Sequence, residues 1–179
     1  EKGNQKGLLW FFGIAFFFSW LFWIPTAFVV RGADFPSGLK AFLESPLNPA
    51  AFGPLVAALL VTLAERGGRG VLSLLKRVFI LRFPKMWLVV SIVLPMIVFG
   101  GAVWFSILVG ARSPDLSILS NPPFALIGFM VILLTSGPLQ EEFGWRGYAL
   151  PRLQTRYSPL VCSVILGICW WIWHLPAVF

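Results

Sequence analysis

The chain has 179 residues, of which 58% are apolar and only 12% charged, and it carries 18 Phe and 9 Trp. Water-soluble domains are about 45–50% apolar and about 25% charged, so the composition excludes an ordinary soluble fold and points to one polytopic bundle of membrane helices. The net charge of +7 is high enough to suit nucleic acid, but the basic residues sit between apolar segments, where they act as topology signals and phospholipid contacts; no nucleic-acid partner is expected.

Five apolar segments follow one another. Leu8–Val30 is rich in Phe and Trp and long enough to cross about 30 Å of hydrocarbon. The Arg31-Gly-Ala-Asp that follows it is no signal-peptidase site, so the segment is read as a retained span. Pro49–Ala64 is shorter, and Gly53, Ala57 and Ala58 suit close helix packing. Glu65–Gly70 reads as a flexible basic turn without the Lys-Ser/Thr ending of a phosphate-binding loop. From Gly70 to Lys85, Val71, Leu74, Leu75, Val78 and Phe79 form one helical stripe, with Ser73, Lys76 and Arg77 off it. That pattern predicts a basic amphipathic helix on the membrane surface, ended by Pro84. Met86–Val109 is a full span with Pro95 and Gly100-Gly101 inside, where a bend is expected. Pro122–Leu139 begins apolar and ends Thr135-Ser-Gly-Pro138, and Ser158–Phe179 is the fifth segment. Cys162 and Cys169 are seven residues apart on that segment, about 10 Å along a helix axis and too far for a disulfide, and are read as small apolar residues.

The fold class expected is therefore all-α, a transmembrane bundle of five apolar segments plus one interfacial amphipathic helix. Eleven of the 14 Lys and Arg fall on the face shared by the N-terminal tail, Arg66–Lys85 and Arg146–Arg156. The positive-inside rule makes that face, and the N-terminus, cytoplasmic.

The chemistry concentrates in Glu141-Glu142-Phe143-Gly144-Trp145-Arg146 and in His174, the chain's one histidine. Ionisable groups at membrane depth are costly and mark functional positions. In a helix Glu142 and Arg146 are i, i+4 neighbours in the favourable order and should pair. Glu141 points about 100° away, on the face of Trp145 and Ala149, with no partner in its own helix. A carboxylate so placed suits a general base near neutral pH. The alternative, local reading is an interfacial salt-bridge cap. Gly137 and Pro138 should kink the helix and free a carbonyl, which is tolerated where the backbone lines protein or a wet cavity. His174, amid Trp and Ile, suits holding a nucleophilic water or ligating a metal, with Trp170 one turn below to pack its ring. On straight helices Glu141 and His174 lie at different depths, and they meet only if Phe143–Tyr157 dips and the fifth helix starts low. The available metal ligands are Glu141, Glu142 and His174, with zinc the metal they would suit, and no HExxH pattern is present. Ser163 and Cys162 lie about 17 Å from His174 on one helix, out of reach as nucleophiles.

These residues resemble the CPBP family of CAAX prenyl endopeptidases, bacteriocin-processing and Abi-type membrane proteins. Its Glu-Glu-x-x-x-Arg motif is matched by Glu141, Glu142 and Arg146, and the continuation by Gly147–Gln154. Its second motif, an aromatic residue and a His with three residues between, is matched by Trp170 and His174. The resemblance implies an intramembrane endopeptidase in which Glu141 and His174 activate water, while Glu142, Arg146 and Trp170 support them. The family has been described both as metalloprotease and as metal-independent glutamate protease, so the metal stays open. The implied partners are membrane lipids and a peptide or lipidated protein substrate, and the implied location is a bacterial inner membrane. The family pattern also has a later helix with a second His and an Asn or Asp, so residues 1–179 are expected to be the N-terminal portion of such a protein, as one membrane domain. The rival expectations are a catalytically inactive bacteriocin-immunity or scaffold protein of the same fold, and a transporter with a carboxylate relay, which would show inverted repeats not found here.

Overall fold

A computed structural model describes residues 5–79 and 84–178. The chain is helical, and among the described residues there is no strand. It divides into two compact units, one of residues 1–77 and 130–179, the other of residues 78–129. Among the described residues four helices are long and apolar enough to cross a membrane, or five if the bent pair Pro122–Thr135 and Pro138–Leu153 counts as one span.

The larger unit is built on α1 (Gln5–Val30), α3 (Gly53–Lys76) and α8 (Pro159–Val178). A short α2 (Ser37–Leu43) and a 3₁₀ turn, Pro49–Phe52, join α1 to α3. Asn48 caps that turn, its side chain accepting from the Ala50 N–H at 3.1 Å and donating to the Leu43 carbonyl and the Thr26 hydroxyl. Small residues let α1 and α3 approach closely, as expected: Gly53, Ala57 and Ala58 are buried, and a methyl group on Gly53 would meet the Ala15 carbonyl oxygen at 2.5 Å. Two indoles tie α1 to α8 through the backbone. Trp20 donates to the Trp173 carbonyl at 3.0 Å and Trp173 to the Ala15 carbonyl at 3.4 Å.

The expected break within Glu65–Gly70 is present but confined to one residue. At Gly67 the backbone leaves helical angles, with a φ of 64° that suits glycine, and α3 is two helical arms joined at that kink, the second running to Lys76. Of the amphipathic stripe, Leu74 is buried in the core, while Leu75 and Phe79 are exposed. The Val78 side chain and residues 80–83 lie outside the described residues; Pro84, the expected end of this helix, is extended backbone just before Lys85.

Residues after α5 (Pro122–Thr135) are irregular, as Gly137 and Pro138 predict. The chain turns at Gly137, with φ 114°, into α6 (Pro138–Glu142), a π-helical segment Phe143–Ala149, and α7 (Leu150–Leu153). The two arms of this broken span are bent by 41°. Pro138 has no N–H to give the Leu134 carbonyl; the Gln140 side-chain amide donates to it instead. Trp145 and Tyr148 of the π-helical segment are buried against Phe11 of α1 and Trp173 of α8.

In the smaller unit, α4 (Lys85–Leu108) runs as one helix through Pro95 and Gly100-Gly101. It has no buried residue and is apolar throughout, a surface suited to hydrocarbon. Asp115, in the following loop, accepts the Ser117 backbone N–H at 2.8 Å, which holds its carboxyl below the usual carboxylate range.

Gly144 is where the π-helical segment touches α3 backbone to backbone: a Cβ there would lie 2.6 Å from the Pro54 carbonyl oxygen. Gly144→Ala should therefore lower stability by about 1–3 kcal/mol, read as a fall in the thermal midpoint in detergent. Gly13→Ala, on an open face of α1 with nothing within 4 Å, should cause no such fall.

Candidate active site

Glu141 and His174 are 33 positions apart in sequence and face each other in the structure. Glu141 Oε1 lies 4.0 Å from His174 Nε2, with the two side chains 14% and 25% exposed. Glu141 follows the turn at Gly137 by one helical turn, and it meets His174 one turn before the C-terminal end of α8.

Trp170 organises the pair. Its indole N–H donates to Glu141 Oε2 at 2.6 Å, and its carbonyl oxygen lies 2.9 Å from His174 Nδ1. A carbonyl only accepts, so Nδ1 carries the proton in that bond and the Nε2 of a neutral ring presents a lone pair to Glu141. Three indoles enclose the imidazole. Trp170 lies 4.2 Å away between ring centres, Trp173 lies 4.5 Å away edge-on, and Trp23 stacks at 5.6 Å. The packing role expected of Trp170 is thus present, together with a hydrogen bond to Glu141 that spacing along one helix does not reveal.

Glu142 forms the expected pair with Arg146, 2.9 Å apart and more than half exposed on both sides. It is thereby held apart from the Glu141–His174 pair. Among the described residues no three His, Cys, Asp or Glu side chains converge as metal ligands. A zinc site needs about three protein ligands, and the set Glu141, Glu142 and His174 does not assemble as one.

A second charged group was not singled out by the motif reading. Glu65 of α3 accepts from Arg152 at 2.6 Å and from the Tyr148 hydroxyl at 3.0 Å, and the Arg152 guanidinium lies 3.5 Å over the Tyr148 ring. Both charged side chains are about one-sixth exposed. This network ties α3 to the segment that carries the motif. Its sequence signal was an acidic residue within an otherwise basic stretch.

A cleft of about 270 Å³ opens beside Trp170, walled by Trp145, Arg146 and Leu150 on one side and by Ser163 and Gly167 of α8 on the other. A larger one, about 440 Å³, lies on the far side of Trp23, lined by Thr26, Asn48, Thr135 and Pro176.

Residues 122–179 match the family described as Type II CAAX prenyl endopeptidase Rce1-like. Over 50 residues the chain is 46% identical to CAAX prenyl protease 2 of Methanococcus maripaludis, a stretch that covers 28% of this chain and 18% of that protein. These similarities support the resemblance to the CPBP family over that stretch of the chain. All five CPBP motif residues, Glu141, Glu142, Arg146, Trp170 and His174, fall inside the matched segment. Glu65 and Trp23, which brace the motif segment and the imidazole, lie before it.

Removing Glu65 leaves Arg152 charged and unpartnered in a mostly buried place. Glu65→Ala should cost about 3 kcal/mol, and the double-mutant cycle with Arg152→Ala should recover a large part of that as coupling, read by thermal unfolding.

Proposed function

We propose that this chain forms part of an intramembrane endopeptidase in which Glu141 and His174 together activate the attacking water. The observation that carries the reading is their separation. At 4.0 Å the carboxylate oxygen and Nε2 are too far apart for a direct hydrogen bond and well spaced for one shared water. A water that donates one hydrogen to each, at roughly 2.8 Å, keeps a lone pair free to attack a carbonyl carbon. Glu141 takes the proton as the bond to the carbonyl carbon forms, and the same proton can pass to the leaving amine.

Trp170 is a positioning residue in this scheme. Its N–H fixes one carboxylate oxygen, so the other faces His174, and its carbonyl sets the tautomer of the ring. Arg146, paired with Glu142 at the rim of the cleft, offers guanidinium N–H groups toward a polar or carboxylate end of a substrate. The resemblance to CAAX prenyl proteases supports a membrane-associated or lipidated peptide as substrate. Integral membrane placement follows from the helices; a cytoplasmic N-terminus and a bacterial inner membrane are part of the proposal.

The test is cleavage of a quenched fluorescent peptide with a lipidated C-terminus by the full-length protein in proteoliposomes. Glu141→Gln should lower the rate by at least about 10²-fold with the thermal midpoint preserved. Full retention of cleavage would overturn the reading, and a biological effect that survives Glu141→Gln without any cleavage would favour an inactive immunity or scaffold protein. Trp170→Phe keeps the ring and loses the N–H; it should lower kcat about tenfold with little change in KM, the size expected for one hydrogen bond to a charged group.

A further inference from the structure

Away from Glu141 and His174, three arginines line one small cavity. Arg66 of α3, Arg77 just after its end and Arg152 of α7 stand there together with Thr62 and Ser73, and Arg66 and Arg77 are exposed. Their charges are unevenly balanced. Arg152 is matched by Glu65 at 2.6 Å. Arg77 donates to the Gly147 carbonyl at 2.6 Å, which orients the guanidinium without neutralising it. Arg66 has no carboxylate within ion-pair distance among the described residues. The cavity wall therefore keeps two positive charges beside two hydroxyl-bearing side chains.

Size and depth narrow the ligand. The cavity is about 30 Å³, room for one or two water-sized atoms. It has room for one or two oxygens of an anion whose remainder stays outside, and excludes a ring, a base or an acyl chain. It also sits where α3 changes from the apolar run ending at Ala64 to Glu65-Arg66, the level at which lipid headgroups meet a span.

We propose that this cavity is a phosphate-oxygen site, with Arg66 and Arg77 as the charged donors. A bound phosphate, from an anionic phospholipid head or from solution, would sit between Arg66 and Arg77, and through the bond from Arg77 to the Gly147 carbonyl would steady the segment that carries Glu142 and Arg146. The inference does not depend on the proteolytic reading and is tested without an activity assay.

The full-length protein is placed in nanodiscs of phosphatidylcholine with or without phosphatidylglycerol, and retained lipid is counted by native mass spectrometry while unfolding is followed thermally. The expected result is preferential retention of phosphatidylglycerol and a raised midpoint. Arg66→Gln should weaken that retention about tenfold, and Lys40→Gln in α2 should leave it unchanged. Arg66→Gln is the deciding variant, because Arg77→Gln also removes the bond to Gly147. If inorganic phosphate raises the midpoint in phosphatidylcholine discs, phosphatidylglycerol adds nothing, and Arg66→Gln abolishes the rise, the site holds a soluble phosphate. If neither probe acts, or if Arg66→Gln behaves as the unaltered protein does, the proposal is overturned.

Discussion

Phe11, Trp145, Tyr148 and Trp173 meet almost without solvent at the centre of the larger unit, and the placement of Glu141 and His174 depends on that meeting. Each comes from an element that would otherwise be free to slide: Phe11 from α1, Trp145 and Tyr148 from the π-helical segment, Trp173 from α8. Their rings pack edge-on or stacked at 5.1–5.7 Å, distances at which aromatic pairs attract beyond simple burial. Trp173 precedes His174, and Trp145 lies one turn beyond Glu141. Locking the two indoles against each other therefore brings the carboxylate and the imidazole into register.

The same region shows how an apolar setting disciplines irregular backbone. In hydrocarbon an unsatisfied carbonyl is costly, so a helix can break only where another donor stands ready. Pro138 removes the N–H that Leu134 needs, and the Gln140 amide replaces it. Gly137 supplies a backbone angle that a side chain would resist, and the π-helical turns that follow place Trp145 and Tyr148 inward. Helical π turns recur at functional sites because they re-aim side chains without ending the helix.

The charges divide by how far they are removed from water. Glu142 and Arg146 form an exposed pair, which contributes little to stability and leaves Arg146 available at a cleft that it lines. Glu65 and Arg152 form a mostly buried one, extended by the Tyr148 hydroxyl and by the stacked guanidinium. A buried pair of this kind is costly to break, whatever its net contribution, and holds a specific arrangement of α3 against the motif segment. Glu141 belongs to neither: its partners are an indole N–H and an imidazole, both from α8.

What could be read in advance was whatever depends on local composition and spacing. Segment lengths and hydropathy announced the spans. The i, i+4 spacing announced the Glu142–Arg146 pair, Gly137-Pro138 announced the break, and the motif residues announced the family. Three features were decided only by tertiary structure. The Glu65–Gly70 stretch reads as a turn and the helix does break there, at Gly67, but that the helical arm beyond the break packs Leu74 into the core was settled by its neighbours in space. The indole N–H of Trp170 reaches Glu141 from another helix, a relation that no spacing along one segment contains. That Glu141 and His174 meet was decided by how the π-helical segment packs against α1 and α8. Sequence determines which residues are apolar, charged or unable to donate; only the packed chain determines which of them meet, because contacts between distant segments are settled by how well side chains fill the space between helices.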